Sequence, residues 1–276
     1  TAACGNLSQT AVNAMMMSIV ADMGVTVELG QWLSTGYMLM LGVTVPAVTW
    51  ISKRFSARQH MLLGLGLSLA GSLMCLAAPG FWVLLAGRIL QAVSTGILLP
   101  FMTTIAMVGF PPGRQATAMG IAGVAMGFAP NIGPTVGGAM ASAWGWRSFF
   151  VFLAALTCVL TLCALVLVKP TKPHDAAARL DAVSLSLSTL GLGGVLLGFS
   201  NASSFALISP YVWGPLAAGV ALCAAFIVRQ KRSGNPLIDL GVFRSARFNA
   251  GFAAQNLLFA SFMGVTLVVP LYVEGL

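Results

Sequence analysis

The sequence predicts an all-α polytopic membrane protein, and three observations support that prediction. Of the 276 residues, 58% are hydrophobic and only 7% carry charge, whereas about 25% of the residues in a soluble domain are charged. The charges are spaced so that long neutral stretches lie between them. Basic residues outnumber acidic ones by 14 to 6 and collect on alternate connections. The low charge content by itself excludes a water-soluble globular protein.

The neutral stretches predict about nine transmembrane helices, because one span needs about 20 apolar residues. Eight such stretches are bounded by charge, at residues 1–21, 29–52, 59–87, 89–113, 115–146, 148–168, 182–228 and 248–273. The turn signal Ala78-Pro79-Gly80 predicts a break between a helix near 61–78 and one near 81–109. The polar segment 200–210 divides the long stretch 182–228 into two helices.

The distribution of basic residues predicts the orientation. The positive-inside rule places basic loops on the cytoplasmic side. Twelve of the 14 basic residues lie in the loops near 53–60, 110–115, 169–179 and 229–247, and only Arg147 lies in the alternate set. We therefore predict a multi-pass protein of the cell membrane with a cytoplasmic N-terminus and the lipid bilayer as a partner. Topology explains the basic residues, so no nucleic-acid partner is expected.

Both ends of the sequence lie close to predicted spans. Residue 1 is a Thr within a neutral stretch, and Leu276 directly follows the ninth predicted helix. We expect the chain to be a fragment of a longer membrane protein.

The sequence contains no pattern typical of an enzyme. There is no Ser/His/Asp set, no Walker loop and no pair of carboxylates within a span. His60 and His174 are predicted to be solvated loop residues, and the five cysteines are predicted to be buried thiols. We predict no catalytic residues, no metal ligands and no cofactor.

Arg88 is the most unusual residue, because it lies within a predicted helix. A guanidinium near mid-span costs about 2.5–3.5 kcal/mol even on the milder insertion scales. It should therefore face a polar interior, and Asn13 of the first helix, at a similar depth, is a candidate partner. The alternative is an arginine that extends to the membrane surface and only anchors its helix.

The fifth predicted helix is rich in small residues. The pairs Gly123/Gly127 and Gly133/Gly137 are each four residues apart, which allows close helix packing, and Pro134 is predicted to introduce a kink. From spacing alone, ordinary tight packing without a transport role is the better interpretation. The 14 methionines are better explained as gap filler than as an adaptable ligand pocket.

The basic turn between the second and third helices contains Lys53, Arg54 and Arg58. A topology signal explains these charges. A gating role would need a partner carboxylate, for which Asp181 and Asp239 are candidates.

Several motifs in order resemble the major facilitator superfamily, in particular the fourteen-helix drug:proton antiporter branch of multidrug efflux proteins. The segment LSQTAVNAMMMSI resembles the first-helix pattern of that branch, and TWISKRFSARQHML resembles the superfamily loop between helices two and three. The segment GRILQAVSTG is similar to the fourth-helix pattern, and GIAGVAMGFAPNIGPTVGG is similar to the antiporter motif of the fifth helix.

The resemblance implies three groups of functional residues. Proton coupling and the cavity are implied for Arg88, Gln91, Asn13, Thr10 and Ser8. The bend of the antiporter helix is implied for Gly120, Gly133, Pro134, Gly137 and Gly138. The cytoplasmic gating loop is implied for Lys53, Arg54 and Arg58.

The sequence also departs from the pattern of that branch. Ser8 stands where an acid is usual, and no predicted helix interior contains Asp or Glu. A proton-coupled carrier needs a group that titrates, and a carboxylate is the usual one.

The resemblance predicts a major facilitator fold with three regions. Residues 1–168 would form an N-terminal six-helix bundle, residues 169–246 a linker region with two extra transmembrane helices, and residues 247–276 the first helix of a truncated C-terminal bundle. The implied function is proton-coupled efflux of amphipathic drugs or antibiotics by alternating access, with small amphipathic substrates and protons as partners. Two alternatives stay open: a dedicated exporter of one metabolite or lipid, and a membrane interaction or sensor protein that transports nothing.

Overall fold

The computed structural model describes residues 2–168, 181–202, 208–232 and 240–274, and every regular element within them is helical. The α-helices are α1 (Ala2–Met23), α2 (Val27–Gly30), α3 (Trp32–Arg54), α4 (Ala57–Leu76), α5 (Phe81–Val108), α6 (Pro112–Trp144), α7 (Arg147–Leu167), α8 (Ala182–Asn201), α9 (Pro210–Arg232) and α10 (Ala246–Glu274). A 3₁₀ turn at Leu240–Arg244 precedes α10. The predicted all-α fold class is confirmed.

The helices have the lengths that a bilayer demands. Within the described ranges, six segments are long and apolar enough to cross a membrane, namely the combined α2–α3 segment, α4, α5, α7, α8 and α9. The remaining long helices correspond to the first, fifth and ninth predicted spans. Helix α1 contains several polar side chains, and α6 contains many glycines and alanines, which lowers their apolar character.

The connection between α3 and α4 is much shorter than the charges suggest. The Ser56 hydroxyl accepts a hydrogen bond from the Gln59 amide (3.3 Å), while the Ser56 amide donates to Gln59 Oε1 (3.0 Å). This reciprocal capping box starts α4 at Ala57. Only Phe55 and Ser56 therefore lie between the two helices, where the sequence suggested a loop over 53–60.

The early start of α4 changes the environment of His60. The prediction of a solvated loop residue is wrong, because His60 is fully buried within α4. Its ring stacks on Phe101 with the centroids 3.9 Å apart. Its Nε2 lies 3.2 Å from the Ile97 carbonyl oxygen, which only accepts, so this nitrogen carries a proton.

Glycine ends α6 and opens a sharp turn into α7. Gly145 has φ of 80°, a backbone conformation that favours glycine, and only Gly145 and Trp146 separate the two helices.

The predicted break at Ala78-Pro79-Gly80 is confirmed, since α4 ends at Leu76 and α5 begins at Phe81.

The first compact unit, Thr1–Ile227, is organised around α5. Helices α1, α3 and α4 pack directly on α5, while α6 packs on α1, α7 on α4 and α8 on α3. The apolar core of this unit joins α1 with α5 and α7 through Val12, Met15, Leu84, Phe149 and Phe150. The arrangement brings the polar residues of α1 against the segment of α5 that contains Arg88.

Helix α9 packs on α8 through glycine. A Cβ atom built on Gly194 would lie 2.9 Å from the Cα atom of Gly219, and one built on Gly198 would lie 3.0 Å from the Leu216 amide nitrogen. Larger residues at these positions would force the two backbones apart.

The cysteines follow the prediction only in part. Cys75 is buried and Cys4 and Cys223 are half-buried, but Cys158 and Cys163 are exposed on α7. A thiol behaves as a small hydrophobic group. On a surface that faces lipid, exposure therefore carries little cost, unlike exposure to water.

The second compact unit, Val228–Leu276, contains the 3₁₀ turn and α10. Phe243, Phe248 and Phe252 pack their rings together with centroids 5.3–6.2 Å apart. The Asn249 side-chain amide donates to the Phe243 carbonyl oxygen (2.8 Å), which fixes the start of α10.

Four predicted loop residues lie outside the described part of the chain, as does the candidate gating acid: Lys169, Lys172, His174, Arg179 and Asp239.

Candidate functional site

Arg88 is fully buried among four helices, and its guanidinium is held by neutral oxygen atoms. Nη1 donates to Ser8 Oγ (2.7 Å) and to Gln91 Oε1 (2.8 Å). Nη2 donates to Gln9 Oε1 (2.8 Å). The exposed fraction of Arg88 is 0%. The alternative of an arginine that extends to the surface as an anchor is therefore wrong, and the predicted polar interior is confirmed.

A tyrosine ring forms one wall of the site. The guanidinium carbon of Arg88 lies 4.3 Å from the centre of the Tyr37 ring, within the range of a cation–π interaction. The Tyr37 hydroxyl contacts the Gly5 carbonyl oxygen (3.1 Å) and Thr95 Oγ1 (2.8 Å). Tyr37 therefore links α3 to both α1 and α5 at the level of Arg88.

Gln91 extends the polar network to α4. Its Nε2 donates to Ser72 Oγ (3.0 Å), and the Ser72 hydroxyl donates to the Ser68 carbonyl oxygen (2.8 Å). We call the set of seven buried residues the Arg88 centre: Ser8, Gln9, Tyr37, Ser72, Arg88, Gln91 and Thr95. It connects α1, α3, α4 and α5 by hydrogen bonds in the interior of the first unit.

The Arg88 centre contains no acid. Asp22, at the far end of α1, instead forms an ion pair with Arg147 (2.7 Å) and accepts a hydrogen bond from Trp146 Nε1 (3.1 Å). Both side chains of that ion pair are about half exposed, at 43% and 47%. The charges of this pair lie near the surface, whereas the charge of Arg88 lies in the interior.

The structure brings three of the five predicted coupling residues together. Ser8 and Gln91 contact Arg88 directly, but Asn13 does not. The expectation that Asn13 pairs with Arg88 is wrong: Asn13 is exposed and accepts a hydrogen bond from the Ser34 hydroxyl. At about 100° per residue, Asn13 lies about 140° around α1 from Ser8, so the two side chains face different neighbours.

Thr10, the fifth of these residues, bonds to its own helix. Its hydroxyl donates to the carbonyl oxygens of Asn6 (3.2 Å) and Leu7 (3.3 Å). Its side chain lies directly against Gly133 of α6. Thr10 therefore belongs to the contact between α1 and α6 rather than to the Arg88 centre.

Sequence reasoning missed four members of the centre: Gln9, Tyr37, Ser72 and Thr95. Gln9 was visible as a polar residue next to Ser8, but its side of the helix was unknown. Ser72 is one of many small residues in an apolar helix. Tyr37, in a chain with only three tyrosines, was the strongest available signal, because a buried tyrosine usually needs a partner for its hydroxyl.

The glycine-rich motif of α6 has two different sides. A Cβ atom on Gly137 would lie 2.8 Å from Ala11 Cβ, and one on Gly133 would lie 2.8 Å from the Leu7 carbonyl oxygen. Within the described ranges, Cβ atoms on Gly120 and Gly138 would have nothing within 4 Å, and the same holds for Gly123 and Gly127. The close packing predicted from the Gly133/Gly137 spacing is present, and its partner is α1, whereas the packing predicted for Gly123/Gly127 is absent among the described residues.

The two prolines of this motif lie within one helix. Pro130 and Pro134 are both interior residues of α6, which runs from Pro112 to Trp144. Each lacks an amide hydrogen, so each removes one helix hydrogen bond. The segment between Gly127 and Gly138 is therefore less strongly bonded than the rest of α6.

The predicted gating loop is mostly helical. Lys53 and Arg54 occupy the last turn of α3. Arg58 lies in the first turn of α4, where its Nη2 donates to the Leu165 carbonyl oxygen (2.8 Å) near the end of α7. Basic side chains at helix C-termini interact favourably with the exposed carbonyl groups. Arg58 therefore ties the start of α4 to the end of α7.

An apolar cavity of about 540 Å³ lies between the later turns of α5 and the start of α6. Its walls include Met102, Ile105, Phe110 and Ile121, and Arg114 supplies a charged group at the wall. A second apolar cavity of about 400 Å³ lies between α3 and α5, where Trp32 and Trp82 contribute to its walls. Both volumes fall in the range typical of drug-sized ligands.

Comparison with known proteins agrees with this architecture. The family description Major Facilitator Superfamily matches residues 1–276. The lincomycin resistance protein LmrB of Bacillus subtilis is 34% identical over 273 residues, which cover 98% of this chain and 57% of that protein. The uncharacterized MFS-type transporter YcnB of the same organism is 33% identical over 269 residues, with coverage of 98% and 57%.

A mycobacterial relative shows the same relationship. The multidrug resistance protein B homolog of Mycobacterium tuberculosis is 31% identical over 270 residues, which cover 96% of this chain and 49% of that protein. The chain thus spans about half the length of the curated relatives that it matches. A helical membrane bundle with a buried arginine centre, together with a family match along the whole chain, establishes that the protein belongs to the Major Facilitator Superfamily.

Proposed function

We propose that this chain is part of an exporter of amphipathic drugs or antibiotics in the cell membrane. The observation that carries the proposal is the Arg88 centre, a buried polar network that joins four helices inside an apolar bundle. Buried ionisable residues in membrane proteins commonly mark transport pathways. The names of two relatives, a lincomycin resistance protein and a multidrug resistance protein B homolog, support drugs as the substrate class.

The proposed orientation puts the basic ends of α3 and α4 in the cytoplasm. Lys53, Arg54 and Arg58 cluster there, and the positive-inside rule favours cytoplasmic placement of such residues. In this orientation the N-terminus is cytoplasmic, and the Asp22–Arg147 ion pair lies on the opposite side. We assign residues 1–168 to the N-terminal bundle, 169–246 to the linker region and 247–276 to the start of a second bundle.

We assign proton coupling to the Arg88 centre, with Arg88, Ser8 and Gln91 as its members from the antiporter pattern. Thr10 and Asn13 lie on other faces of α1 and are assigned to its contacts with α6 and α3. Protonation changes elsewhere in the full-length protein would act on the centre through its neutral hydrogen-bond partners, since a guanidinium does not titrate in proteins.

The contact between α6 and α1 is the proposed site of bending during alternating access. Pro134 lies between Gly133 and Gly137, which lie directly against Thr10 and Ala11 of α1. Rocking of one bundle against another requires helices that change their curvature or slide. Lys53, Arg54 and Arg58 are proposed to close the cytoplasmic end when these helices move.

The apolar cavity between α5 and α6 is a suitable binding region for the substrate. It is bounded by flexible and aromatic side chains such as Met102 and Phe110. Flexible methionine and aromatic surfaces accommodate ligands of varied shape. We therefore expect several unrelated amphipathic compounds to be exported, instead of one metabolite.

The test uses the full-length protein in everted membrane vesicles, with the pH gradient followed by fluorescence as unrelated amphipathic compounds are added. We expect proton release from the vesicles with several compounds and none with an empty vector. Arg88→Ala should abolish the response, whereas Arg147→Ala, which removes an arginine at the surface of the bundle, should retain it. An unchanged pH response in Arg88→Ala would leave Arg88 with a structural role only.

The same experiment separates the alternatives. A response to one compound out of many would identify a dedicated exporter with the same fold. The absence of any flux, from protein shown to be folded and inserted, would support a membrane interaction or sensor protein and contradict the proposal.

A further inference from the structure

The Arg88 centre contains a buried positive charge that has no negative partner among the residues that the structure describes. A guanidinium stays protonated in proteins, and the exposed fraction of this one is 0%. Its three hydrogen-bond acceptors are a hydroxyl and two side-chain amides, all neutral. A buried charge without a counterion is strongly destabilising, because burial removes the water that would otherwise stabilise it.

Neighbouring groups that can lose a proton retain it in this geometry. The Tyr37 hydroxyl lies 3.1 Å from the Gly5 carbonyl oxygen, and the Cys75 thiol lies 3.6 Å from the Leu84 carbonyl oxygen. A carbonyl oxygen only accepts hydrogen bonds, so both contacts require the protonated and neutral form. Neither side chain supplies the missing negative charge.

Among the residues that the structure describes, no carboxylate contacts Arg88. The sequence contains no Asp or Glu within residues 1–21 or 29–174. Asp22 is paired with Arg147 and lies 14 residues along α1 from Ser8, which is about 21 Å at 1.5 Å per residue. Glu28 lies in the first turn of α2, directly after the same end of α1.

Two buried donors of the centre lack acceptors. Within the part of the chain that the structure describes, Arg88 Nε and Gln9 Nε2 have no hydrogen-bond partner. Gln9 Oε1 accepts from Arg88 Nη2, so the unpartnered amide group of Gln9 lies beside the guanidinium. A buried donor without an acceptor is destabilising, because it has lost its hydrogen bonds to water. The two donors need a hydrogen-bond acceptor, and the positive charge needs a negative one. A bound anion would supply both.

We propose that the Arg88 centre binds a small monovalent inorganic anion of the halide type, with chloride as the physiological representative. Arg88 Nε and Gln9 Nε2 donate to the anion, and its charge compensates that of the guanidinium. A water molecule would satisfy the donors but would leave the charge uncompensated. Complete burial of the centre favours the smallest anions. This proposal concerns an ion bound within the fold and does not rest on the transport activity.

The first test measures the thermal unfolding midpoint of the purified full-length protein in potassium gluconate, chloride and bromide at constant ionic strength. We expect chloride and bromide to raise the midpoint in a saturable manner relative to gluconate, because a ligand that binds the folded state stabilises it. Broadening of the chloride-35 resonance by the protein, reversed by bromide, should give the same apparent Kd. An equal midpoint in all three salts and no broadening would overturn the proposal.

A pair of variants locates the ion. Ser8→Asp places a carboxylate on Arg88 Nη1, and Ser8→Asn is the neutral control of nearly equal size. We expect apparent halide affinity to fall about tenfold or more in Ser8→Asp, because a carboxylate beside the guanidinium repels a second anion. Ser8→Asn should retain the halide response. Equal responses of the two variants would place the ion elsewhere and overturn the proposal.

A further variant keeps the test valid if either Ser8 change prevents folding. Arg88→Met removes the positive charge and all the N–H donors of the guanidinium, while it keeps an unbranched side chain. It should remove the halide dependence of the midpoint completely. A halide response that survives in folded Arg88→Met would contradict the proposed site.

Discussion

Gly71 of α4 and Gly87 of α5 face each other across the helix crossing, with backbone against backbone. A Cβ atom on Gly71 would lie 2.6 Å from the Gly87 carbonyl oxygen, and one on Gly87 would lie 2.8 Å from the Gly71 carbonyl oxygen. Their sequence neighbours, Ser72 and Arg88, both belong to the Arg88 centre. The close approach of the two helices lets Ser72 reach Gln91 and so completes the centre on the α4 side.

Gly71→Ala should therefore destabilise the protein by about 1–3 kcal/mol, because the added methyl group would meet a backbone atom that cannot move away easily. Gly66→Ala on the same helix is the matched control, since a Cβ atom there has nothing within 4 Å among the described residues. The control should be neutral or stabilising by up to about 1 kcal/mol. Reversible unfolding in mixed micelles measures both, and similar losses would contradict the crossing described here.

Gly137→Leu should separate α6 from α1. A side chain at this position would collide with the Cα, Cβ and carbonyl oxygen atoms of Ala11, and overpacking of this kind costs about 1–3 kcal/mol or more. Gly138→Leu introduces the same side chain one residue later, where the described part of the chain leaves open space. We expect a lowered melting temperature only for Gly137→Leu. A larger loss in Gly138→Leu would show that the helix is rotated from its position here.

Tyr37 stabilises Arg88 through its ring and joins α1 to α5 through its hydroxyl, and two substitutions separate these contributions. Tyr37→Phe keeps the ring beside the guanidinium and should cost about 0.5–1.5 kcal/mol for the lost hydrogen bonds. Tyr37→Leu also removes the cation–π contact and should cost about 2 kcal/mol more. The measurement is the free energy of unfolding of both variants. If Phe and Leu have equal effects, the ring does not stabilise Arg88.

His60→Ala should destabilise the protein by about 2–3 kcal/mol, since it removes a ring stacked on Phe101 and leaves the Ile97 carbonyl oxygen without its side-chain donor. Arg58→Ala, two residues earlier, removes one hydrogen bond and should cost about 1 kcal/mol or less. Thermal unfolding of the two variants compares them. Two equally small effects would restore the interpretation of His60 as a solvated loop residue.

The helices were predictable because lipid leaves a strong signal in the sequence. A span must be long and nearly free of charge, so the positions of 20 charged residues locate most of the helices. The prediction failed where a charge was taken as the sign of a loop. Lys53, Arg54 and Arg58 lie in helical turns, since a local capping box at Ser56 begins the next helix between them.

The burial of Arg88 was predictable, but its contacts with Gln9 and Tyr37 were not. The cost of a guanidinium in lipid predicts a polar environment whatever the fold. The choice between Gln9 and Asn13 depends on the rotation of α1 against α5, which is set by packing with α6 and α7 and cannot be obtained from residue spacing. The same limit applies to the glycines. The spacing of Gly133 and Gly137 can be read within one helix, whereas the approach of Gly71 to Gly87 depends on how two helices cross.

The link between α3 and α4 has a consequence for the biogenesis of the protein. Two residues extend over about 7 Å, far less than the roughly 30 Å of the hydrocarbon layer. The end of α3 and the start of α4 must therefore stay on one side of the bilayer throughout insertion, where Lys53, Arg54 and Arg58 also resist translocation. The two helices enter the membrane as one hairpin. They pack against their neighbours, including α5, only after this insertion.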